Sequence, residues 1–526
     1  MNLVTDRWIP CMQRNGSVKK ASLIDCYTDD GLMGLAVRPH ERVALMRLFG
    51  CIVYASSGVP ADYDELQDLR GTFAKASVEY LFNWKESFEL FDGKAPFLQI
   101  PNLKSVGKEE DEGIPLTKLN LVLANGNNST LNDHEAVRGT PRQVDPEDVA
   151  LWLIAYQNFS TSGRIGKVQW DSVTDYSSSD APCIPESMLH TLLRGESLMD
   201  SIFLNLLSIE DLHDYAALDD GSVASPYRKN STTWVGQPIW ELFPKGFADE
   251  KAVFNATRTF MGRLVPIARA IRILSDRQTM VLGRGLIYPR FRDANAPFPK
   301  EVTASSKLTK TKEGEFETLL HYEPGHSVWR HLAALSVKRN HDDNDIGGCA
   351  ALSNINDDED VDLIVSSISR DQADIHDISE SFYRVKAGHA DDVWHQLLSA
   401  EIQFVEDVNR SLRGAVKKCC GYEDCSLDEK LKKSSKARYG QIYHAEQNFW
   451  ERSEKNLGDL FMWLDAHGRE EAPKLHDIWQ AKVIDNARQI LREVCLKTSA
   501  RQMRAYISCL EEFNWGIRHY LGGQKK

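Results

Sequence analysis

Apolar residues along this chain recur with two different spacings, and the change of spacing divides the sequence. Before residue 389, short β-branched runs alternate with helical patterns, and one helix is predicted to begin at Pro39-His40-Glu41. After that point the three-to-four spacing continues almost to the end, with a capping box at Ser426 and Glu429. We therefore predict an α+β protein with a large mixed α/β domain over residues 1–388 and an antiparallel four-helix bundle over residues 389–526.

One apolar run ends in polar residues that suggest contact with a ligand. Leu363–Ile368 favours a strand, and the polar tip Ser369–Ala373 follows it. Arg370 could hold a phosphate, and Gln372 carries two donors and an acceptor without charge. A strand that ends in a short polar hairpin makes a rigid wedge that can separate stacked bases. An ordinary strand-to-helix loop capped by Asp371 explains the same residues, and the local sequence by itself favours that loop.

Two other polar loops carry positive charge. The first follows a predicted helix that begins at Pro146, and its glycines would let the backbone approach a ligand closely. It is not a Walker loop, because no Gly-Lys-Ser/Thr opens a following helix, and a helix C-cap with a turn explains it equally well. The second is an exposed Ser/Thr-rich loop over residues 300–312 that could contact phosphates or simply be solvated. The residues concerned are Gly163, Arg164, Gly166 and Lys167 in the first loop, and Lys307 and Lys310 in the second.

A long polar segment and a basic cluster complete the candidate contact regions. Residues 105–145 are rich in Asn, Asp and Glu, which predicts a long loop that is either functional or disordered. In the predicted bundle, basic residues concentrate between two helices, where they could bind phosphates or form a solvated helix face. The cluster consists of Lys430, Lys432, Lys433, Lys436 and Arg438.

Composition and charge restrict the functions that these loops can serve. The chain has 526 residues, a net charge of −13 and no apolar run of membrane-spanning length, so we expect a cytoplasmic protein without membrane contact. From residue 391 to the end, 22 basic side chains face 21 acidic ones, so the negative charge lies in the first part. A stand-alone nucleic-acid binder is therefore disfavoured, and any contact with a polyanion must be local or shared with other subunits.

Residue patterns for catalysis and metal binding are weak. The ten cysteines lack the spacing of a zinc site, and no HExxH, GxSxG or Gly-Lys-Ser/Thr motif occurs, so we expect no metal, no cofactor and no enzyme. Four His-Asp dipeptides keep a metal-dependent HD-type phosphohydrolase open as an alternative, although none has a second histidine at helical ligand spacing. A scaffold subunit that does not touch DNA is the other alternative.

Several stretches, taken in their order, resemble the CasA family. They are Leu3–Pro10, Pro39–Arg42, Phe91–Gln99, Phe159–Gly163 and Arg263–Arg272, followed by the closing helices. CasA is the large subunit of Cascade, the type I-E CRISPR surveillance complex. The resemblance covers nearly the whole chain with gaps, and it implies the two-domain fold already predicted from the apolar pattern.

The resemblance also implies a function and a set of partners. Members of the family are not known as enzymes; they recognise the short PAM duplex through the minor groove and help to start strand separation. They then present the displaced strand to a helicase-nuclease recruited in trans. The implied partners are the backbone, 5′-handle-binding and small subunits of Cascade, the CRISPR guide RNA and double-stranded target DNA.

Individual residues follow from the same resemblance. The family's glutamine wedge falls on Gln372, flanked by Asp371 and Ala373, and its glycine loop falls on Gly163–Gly166. A PAM-reading lysine is expected at Lys307 or Lys310. The loop that reaches the guide RNA falls within 125–142, with Asn125, Asn132, His134, Arg138 and Arg142 as contacts. Two departures, Arg164 within the glycine loop and Asp371 beside the wedge, imply that PAM preference differs.

Overall fold

The computed structural model describes most of the chain and divides it into two compact units. The described residues are 1–91, 93–106, 113–123, 143–161, 165–171, 173–174, 183–184, 187–212, 215, 234–289, 300–311, 314–339, 346–371, 374–422, 432–495 and 500–521. The first unit comprises residues 1–322 and 338–387, and the second comprises residues 323–337 and 388–526. The second unit thus takes in a short segment that lies before the predicted domain boundary.

The first unit mixes helices with small antiparallel sheets. Its helices are α1 (Leu23–Thr28), α2 (Pro39–Ser57), α3 (Tyr63–Leu69), α4 (Phe73–Asn83), α5 (Pro146–Phe159), α6 (Leu198–Leu204), α7 (Glu250–Arg258) and α8 (Phe260–Leu264). Its strands are β1 (Ile9–Gln13), β2 (Val18–Ala21), β3 (Leu32–Leu35), β4 (Lys104–Ser105), β5 (Ile114–Pro115), β6 (Val168–Trp170), β7 (Val173–Thr174), β8 (His190–Arg194), β9 (Arg269–Ile273), β10 (Thr279–Arg284), β11 (Ser306–Thr311), β12 (Gly314–Leu319), β13 (Asp360–Asp371) and β14 (Asp374–Lys386).

Helix α2 is the buried centre of the first unit. It begins where the sequence predicts, with Pro39 in the first turn and the Glu41 carboxylate accepting the backbone N–H of Arg38 at 2.9 Å. Thirteen of its residues are buried, and they lie all around the helix, so this helix belongs to the core and not to the surface. It ends at Gly58, whose φ of 82° lies in the left-handed region that favours glycine.

The long hairpin β13–β14 is the element that carries the predicted wedge. The two strands pair antiparallel from Asp360 opposite Lys386 to Asp371 opposite Asp374, with a bulge between Ser369 and Arg370. Strand β8 pairs with the other side of β13, so β13 is the middle strand and is buried along most of its length. The predicted strand is therefore confirmed, and the structure continues it into a hairpin rather than into a helix.

The second unit is helical. Its helices are α9 (Leu332–Leu335), α10 (Val393–Tyr422), α11 (Lys432–Glu454), α12 (Leu457–Asp465), α13 (Ala472–Cys495), α14 (Ala500–Gly516) and α15 (Arg518–Leu521). The four long helices α10, α11, α13 and α14 pack together. Helices α10 and α14 run antiparallel, because Ser411 lies against Gly516 while Lys418, further along α10, binds Glu512 at 3.0 Å. The predicted α+β class with a C-terminal bundle is confirmed.

None of the helices in the described part of the chain combines the length and the apolar character needed to cross a bilayer. The two longest, α10 and α13, have polar and charged residues on one side and buried apolar residues on the other. This amphipathic pattern matches helices that pack against one another in a bundle.

Candidate nucleic-acid interface

Arg370 stands at the end of β13, two residues before the predicted wedge glutamine, and it is buried. Its side chain is 5% exposed, and its guanidinium donates to the backbone carbonyls of Phe159, Ser160 and Ile184, the last at 2.5 Å. These acceptors belong to the first unit's own backbone. We therefore correct the expectation that Arg370 holds a nucleic-acid phosphate: both terminal nitrogens of its guanidinium donate inside the protein, and the residue positions the hairpin instead.

The glycine loop begins at the helix end that Arg370 binds. Helix α5 ends at Phe159, and a helix end leaves backbone carbonyls without helical partners and carries partial negative charge. Arg370 satisfies two of these carbonyls, and Arg269 of β9 donates to the carbonyl of Thr161 at 2.5 Å. Two buried guanidinium groups thus fix the start of the loop, and Arg370 joins it directly to the turn end of the β13–β14 hairpin.

The structure places only part of each predicted contact. Gln372, Ala373, Gly163 and Arg164 lie outside the described residues, as does the side chain of Asp371. The other two loop residues, Gly166 and Lys167, are described, and both are exposed. Gln372 and Ala373 fall between the last residue of β13 and the first residue of β14, which is the position that a hairpin connection occupies.

A short segment before β8 ties the basic hairpin β11–β12 to the same place. Ser187, with φ of 52°, accepts the backbone N–H of Arg370 on its Oγ at 3.3 Å, and its carbonyl accepts the N–H of Tyr322 at 2.6 Å. Tyr322 follows β12, and its hydroxyl donates to Asp377 of β14 at 2.6 Å. The root of β11–β12 therefore packs on the β13–β14 hairpin.

The lysines of that hairpin lie on a strand, which corrects the predicted loop at residues 306–311. Lys307 is exposed on β11 opposite Thr318, and Lys310 is paired opposite Glu315. Lys300 is buried and forms an ion pair with Glu317 at 2.7 Å, so it is not part of an exposed basic surface. Backbone pairing with β12 turns a basic segment without apolar periodicity into a strand, which the local pattern could not indicate.

Beneath these elements lies a buried polar network. Arg47 of α2 forms an ion pair with Glu301, whose carboxylate also accepts from the hydroxyl of Thr303 at 3.3 Å. The Thr303 hydroxyl lies 2.8 Å from Nδ1 of His190. Although burial opposes ionisation, the charge of Arg47 lowers the pKa of Glu301. The network therefore holds one ionised pair in the interior, where loss of either partner would leave a buried charge.

Two buried histidines flank Phe159, the last residue of α5. The ring of His40 lies 6.3 Å from the Phe159 ring and that of His190 lies 5.5 Å from it, both edge-on. Burial, with the positive charges of Arg38 and Arg370, lowers the pKa of His40 to about 3. Burial likewise lowers the pKa of His190 to about 4. Both imidazoles are therefore neutral at physiological pH and act as packing groups.

The remaining predicted contact residues are placed only by position. Lys432, Lys433, Lys436 and Arg438 fall in the first turns of α11, but their side chains lie outside the described residues, as does Lys430 entirely. The guide-RNA loop is also outside them, namely Asn125, Asn132, His134, Arg138 and Arg142. For these residues the sequence predictions remain predictions.

Two of the four His-Asp dipeptides are described, His376-Asp377 and His476-Asp477, and one side chain of each makes a hydrogen bond within the protein. Asp377 accepts from Tyr322, as above, and His476 pairs with the buried carboxylate of Glu401 at 2.7 Å. Over the described ranges, no three His, Cys, Asp or Glu side chains come together as metal ligands would. These contacts give both pairs a structural role.

Comparison with known proteins identifies the family. The family model described as CRISPR-associated protein Cse1 matches residues 2–497. The chain belongs to the Cse1 family. A curated relative, the CRISPR-associated protein CasA/Cse1 of Thermus thermophilus, is 26% identical over 253 residues. That alignment covers 47% of this chain and 43% of the relative, so it spans less than half of the relative's length.

Solved structures share the fold over the whole chain. A crystal structure of CasA from Thermus thermophilus gives a TM-score of 0.72 at 17% identity, with 99% of both chains covered. Cse1 from Thermobifida fusca gives 0.71 at 17% identity, with 98% of both covered. A chain from a CRISPR RNA-guided surveillance complex gives 0.62 at 14% identity, covering 98% of this chain and 99% of that one. At these identities the likeness establishes the fold.

Sequence reasoning misses the residues that assemble this interface. The pattern places Arg269 in a basic, apolar segment without a role, and it does not single out His190 or Ser187. Arg269 and Arg370 are both buried, and a buried guanidinium requires several acceptors. Strand β9 also contains Arg272, and β13 carries serines and aspartates, so neither arginine stands out in its strand. The local sequence therefore gives no signal that separates an anchoring arginine from one that contacts a ligand.

Proposed function

We propose that this Cse1-family chain is the large subunit of a CRISPR RNA-guided surveillance complex and recognises the PAM of double-stranded DNA through the minor groove. It then nucleates strand separation with Gln372 and helps to recruit a helicase-nuclease in trans. One observation carries the proposal beyond family membership. Arg370 binds the end of α5 from the last residues of β13, next to the hairpin turn, so the wedge segment and the glycine loop start from one rigid joint.

This joint suits a wedge physically. Inserting a side chain beneath a base pair costs a few kcal/mol of unstacking, and a wedge can transmit that energy only if its base does not yield. Here β13 is the middle strand of a sheet. Arg370 fixes the hairpin next to its turn, and the bidentate pair between Arg42 of α2 and Glu380 fixes it further back on β14. The minor groove presents a degenerate pattern, so a glycine backbone with one lysine would accept several related PAMs.

The guide RNA would supply sequence recognition downstream of the PAM, by base pairing with the separated strand. The other subunits of the complex and the loop at 125–142 would hold that RNA. Basic residues of α11 would bind phosphates of the displaced strand, including Lys432 and Lys433. We propose no chemical step on this chain; cleavage would belong to the recruited nuclease.

The substitution Gln372→Ala tests the wedge in the assembled complex. We expect R-loop formation on duplex targets to fall roughly tenfold, which corresponds to about 1.4 kcal/mol, while binding to targets already melted beside the PAM stays unchanged. Gln403→Ala is a matched control, because Gln403 is an exposed glutamine on α10. Equal losses on duplex and pre-melted targets would contradict the wedge role.

The two alternatives have their own tests. A phosphohydrolase would show metal-dependent cleavage of nucleic acid by the isolated chain, and the wedge model predicts none. A scaffold that does not touch DNA would leave duplex binding unchanged when the complex is assembled without this subunit, whereas the proposal predicts a large loss.

A further inference from the structure

A wide polar depression lies beside the turn that joins β9 to β10. It has a volume of about 730 Å³, within the range of sites that bind small groups. One wall is the backbone turn Pro101–Lys104, and the other is the end of β9 with the turn that follows it. Lys104 and Arg272 bring two positive charges to the lining, and Asp276 brings one negative charge.

Arg272 is the unusual residue of this depression. Its side chain is half-buried, and its Nε is buried without a hydrogen-bond partner among the described residues. Within the described ranges no carboxylate pairs with its guanidinium either. A buried guanidinium donor without an acceptor costs free energy. The Nε atoms of Arg269 and Arg370 are also unpartnered, but their terminal nitrogens have backbone acceptors, whereas Arg272 has no side-chain acceptor within the described ranges, so a ligand with acceptor atoms would lower this cost.

Among the described lining residues, the one carboxylate is already engaged. Asp276 accepts the backbone N–H groups of Gln278 and Thr279, each at 3.0 Å, and the hydroxyl of Thr279 at 2.7 Å. It therefore shapes the turn rather than pairing with Arg272. Arg277 in the same turn, with its guanidinium 5.1 Å from the ring centroid of Phe91, adds a further positive charge nearby. Among the described lining residues, positive side chains therefore outnumber the single carboxylate.

Lys104 connects the depression to the end of the glycine loop. Lys104 lies on β4 opposite Gln169 of β6, and two residues further along, the backbone N–H of Val106 donates to the carbonyl of Lys167 at 3.0 Å. Successive strand residues rise about 3.3 Å, so the backbones of Lys104 and Lys167 lie within about 10 Å of each other. Lys104 thus lies both beside the end of the loop and in the lining that contains Arg272, so a nucleic-acid strand that passes the loop would come close to the depression.

We propose that Lys104 and Arg272 bind a phosphodiester group of the nucleic-acid strand that passes the glycine loop. This inference rests on the proposed function, and it adds a contact site that lies apart from the wedge and from Lys307 and Lys310. A guanidinium fork with one ammonium group is a common arrangement for phosphate. The phosphodiester can come from the guide RNA or from the target DNA.

Salt dependence of binding provides the test, because each lost phosphate contact lowers the slope of log affinity against log salt by about 0.9. The subunit carrying Arg272→Gln or Lys104→Gln is assembled into the complex, and two affinities are measured from 50 to 200 mM salt. One is for a target duplex, and the other is for the guide-RNA complex that lacks this subunit. We expect each variant to reduce the salt effect over that range by about fourfold in one of the two measurements.

Controls separate charge from folding. Lys75→Gln removes a lysine that is 85% exposed on α4 and paired with Glu79, and it should leave both slopes unchanged. Arg272→Lys keeps the charge and should retain most of the slope. Because Arg272 has no side-chain partner within the described ranges, Arg272→Gln should melt at the same temperature as the unmodified chain. If it melts lower, the salt slopes of Lys104→Gln and Arg272→Lys test the phosphate site in its place.

The measurements also identify which idea fails. If the unmodified subunit raises duplex affinity but both variants show unchanged slopes in both measurements, the phosphate site is wrong and the proposed function stands. If the complex without the subunit binds duplex as well as the complete one, the proposed function fails first. A slope change confined to one measurement assigns the phosphodiester to target DNA or to guide RNA.

Discussion

The joint between the hairpin and the glycine loop depends on a single guanidinium, so Arg370→Met is the most informative perturbation. Methionine fills a similar volume without donors. The carbonyls of Phe159, Ser160 and Ile184 would then lose the donor that Arg370 supplies. All three acceptors face a side chain that is 5% exposed, so water does not replace the donor without rearrangement.

The magnitude follows from these three contacts. A hydrogen bond to a charged group contributes about 1.5–3 kcal/mol, and Arg370 makes three of them to neutral carbonyls. The substitution also removes the cost of burying the guanidinium, so we expect a net loss of about 3–5 kcal/mol. Unfolding entropy is about 2.1 cal/mol/K per residue, and the first unit has roughly 370 residues. A loss of that size corresponds to a fall in melting temperature of about 4 to 6 °C. Arg370→Lys keeps the positive charge with fewer donors, so its melting temperature should lie between those of the unmodified chain and of Arg370→Met.

Calorimetry of the isolated chain measures the effect, and the same hairpin supplies a control. Arg384 on β14 is 69% exposed and pairs with Asp360 at 3.5 Å, so Arg384→Met should change stability by no more than about 0.5 kcal/mol. Arg370→Met should also weaken duplex binding by the assembled complex, because the wedge loses its fixed base. A melting temperature equal to that of the Arg384 variant would refute the anchoring role.

Three other predictions concern the buried network and the bundle. Because the pKa values of His40 and His190 are lowered to about 3 and about 4, the unfolded chain binds more protons than the folded chain below pH 6.5. Urea unfolding should therefore show a free energy of unfolding that falls by up to about 1.4 kcal/mol per pH unit for each histidine as the pH drops from 6.5 towards 4. A flat profile would contradict the burial of these histidines. Glu301→Gln should destabilise the chain by about 3 kcal/mol or more in the same assay, because it leaves the guanidinium of Arg47 charged and buried without its partner. The double variant that also carries Arg47→Met should recover much of this loss. Lys432→Ala combined with Lys433→Ala should flatten the salt dependence of target binding by the complex, and an unchanged slope would place the displaced strand elsewhere.

Local pattern carries much of the architecture. The start of α2 at Pro39 follows from a proline and a capping glutamate, both of which act within one turn. The helical character of the chain after residue 388 follows from a spacing repeated over many turns. The strand before Arg370 is equally visible, since a short run of apolar and β-branched residues next to a polar segment is typical of a buried strand. These features are determined by neighbours in sequence, so the sequence alone predicts them.

Pairing between distant segments is not visible in that way. The pattern at residues 300–312 favours a loop, yet pairing with β12 makes β11 a strand and buries Lys300 against Glu317. The pattern also predicts that Arg370 faces a ligand, yet its acceptors lie about two hundred positions earlier in the chain. No local signal distinguishes an arginine that reaches solvent from one that reaches a helix end.

The sequence by itself determined the α+β class, the helical bundle, the strand that leads to Gln372 and the family resemblance, because these depend on residue type and short-range spacing. Only the tertiary structure decided what the charged residues do. Whether Arg370, Arg269 or Arg47 is a contact or an anchor depends on which carbonyls and carboxylates the fold brings within hydrogen-bonding distance. A buried guanidinium is tolerated only where such acceptors converge, and convergence is a property of the folded chain.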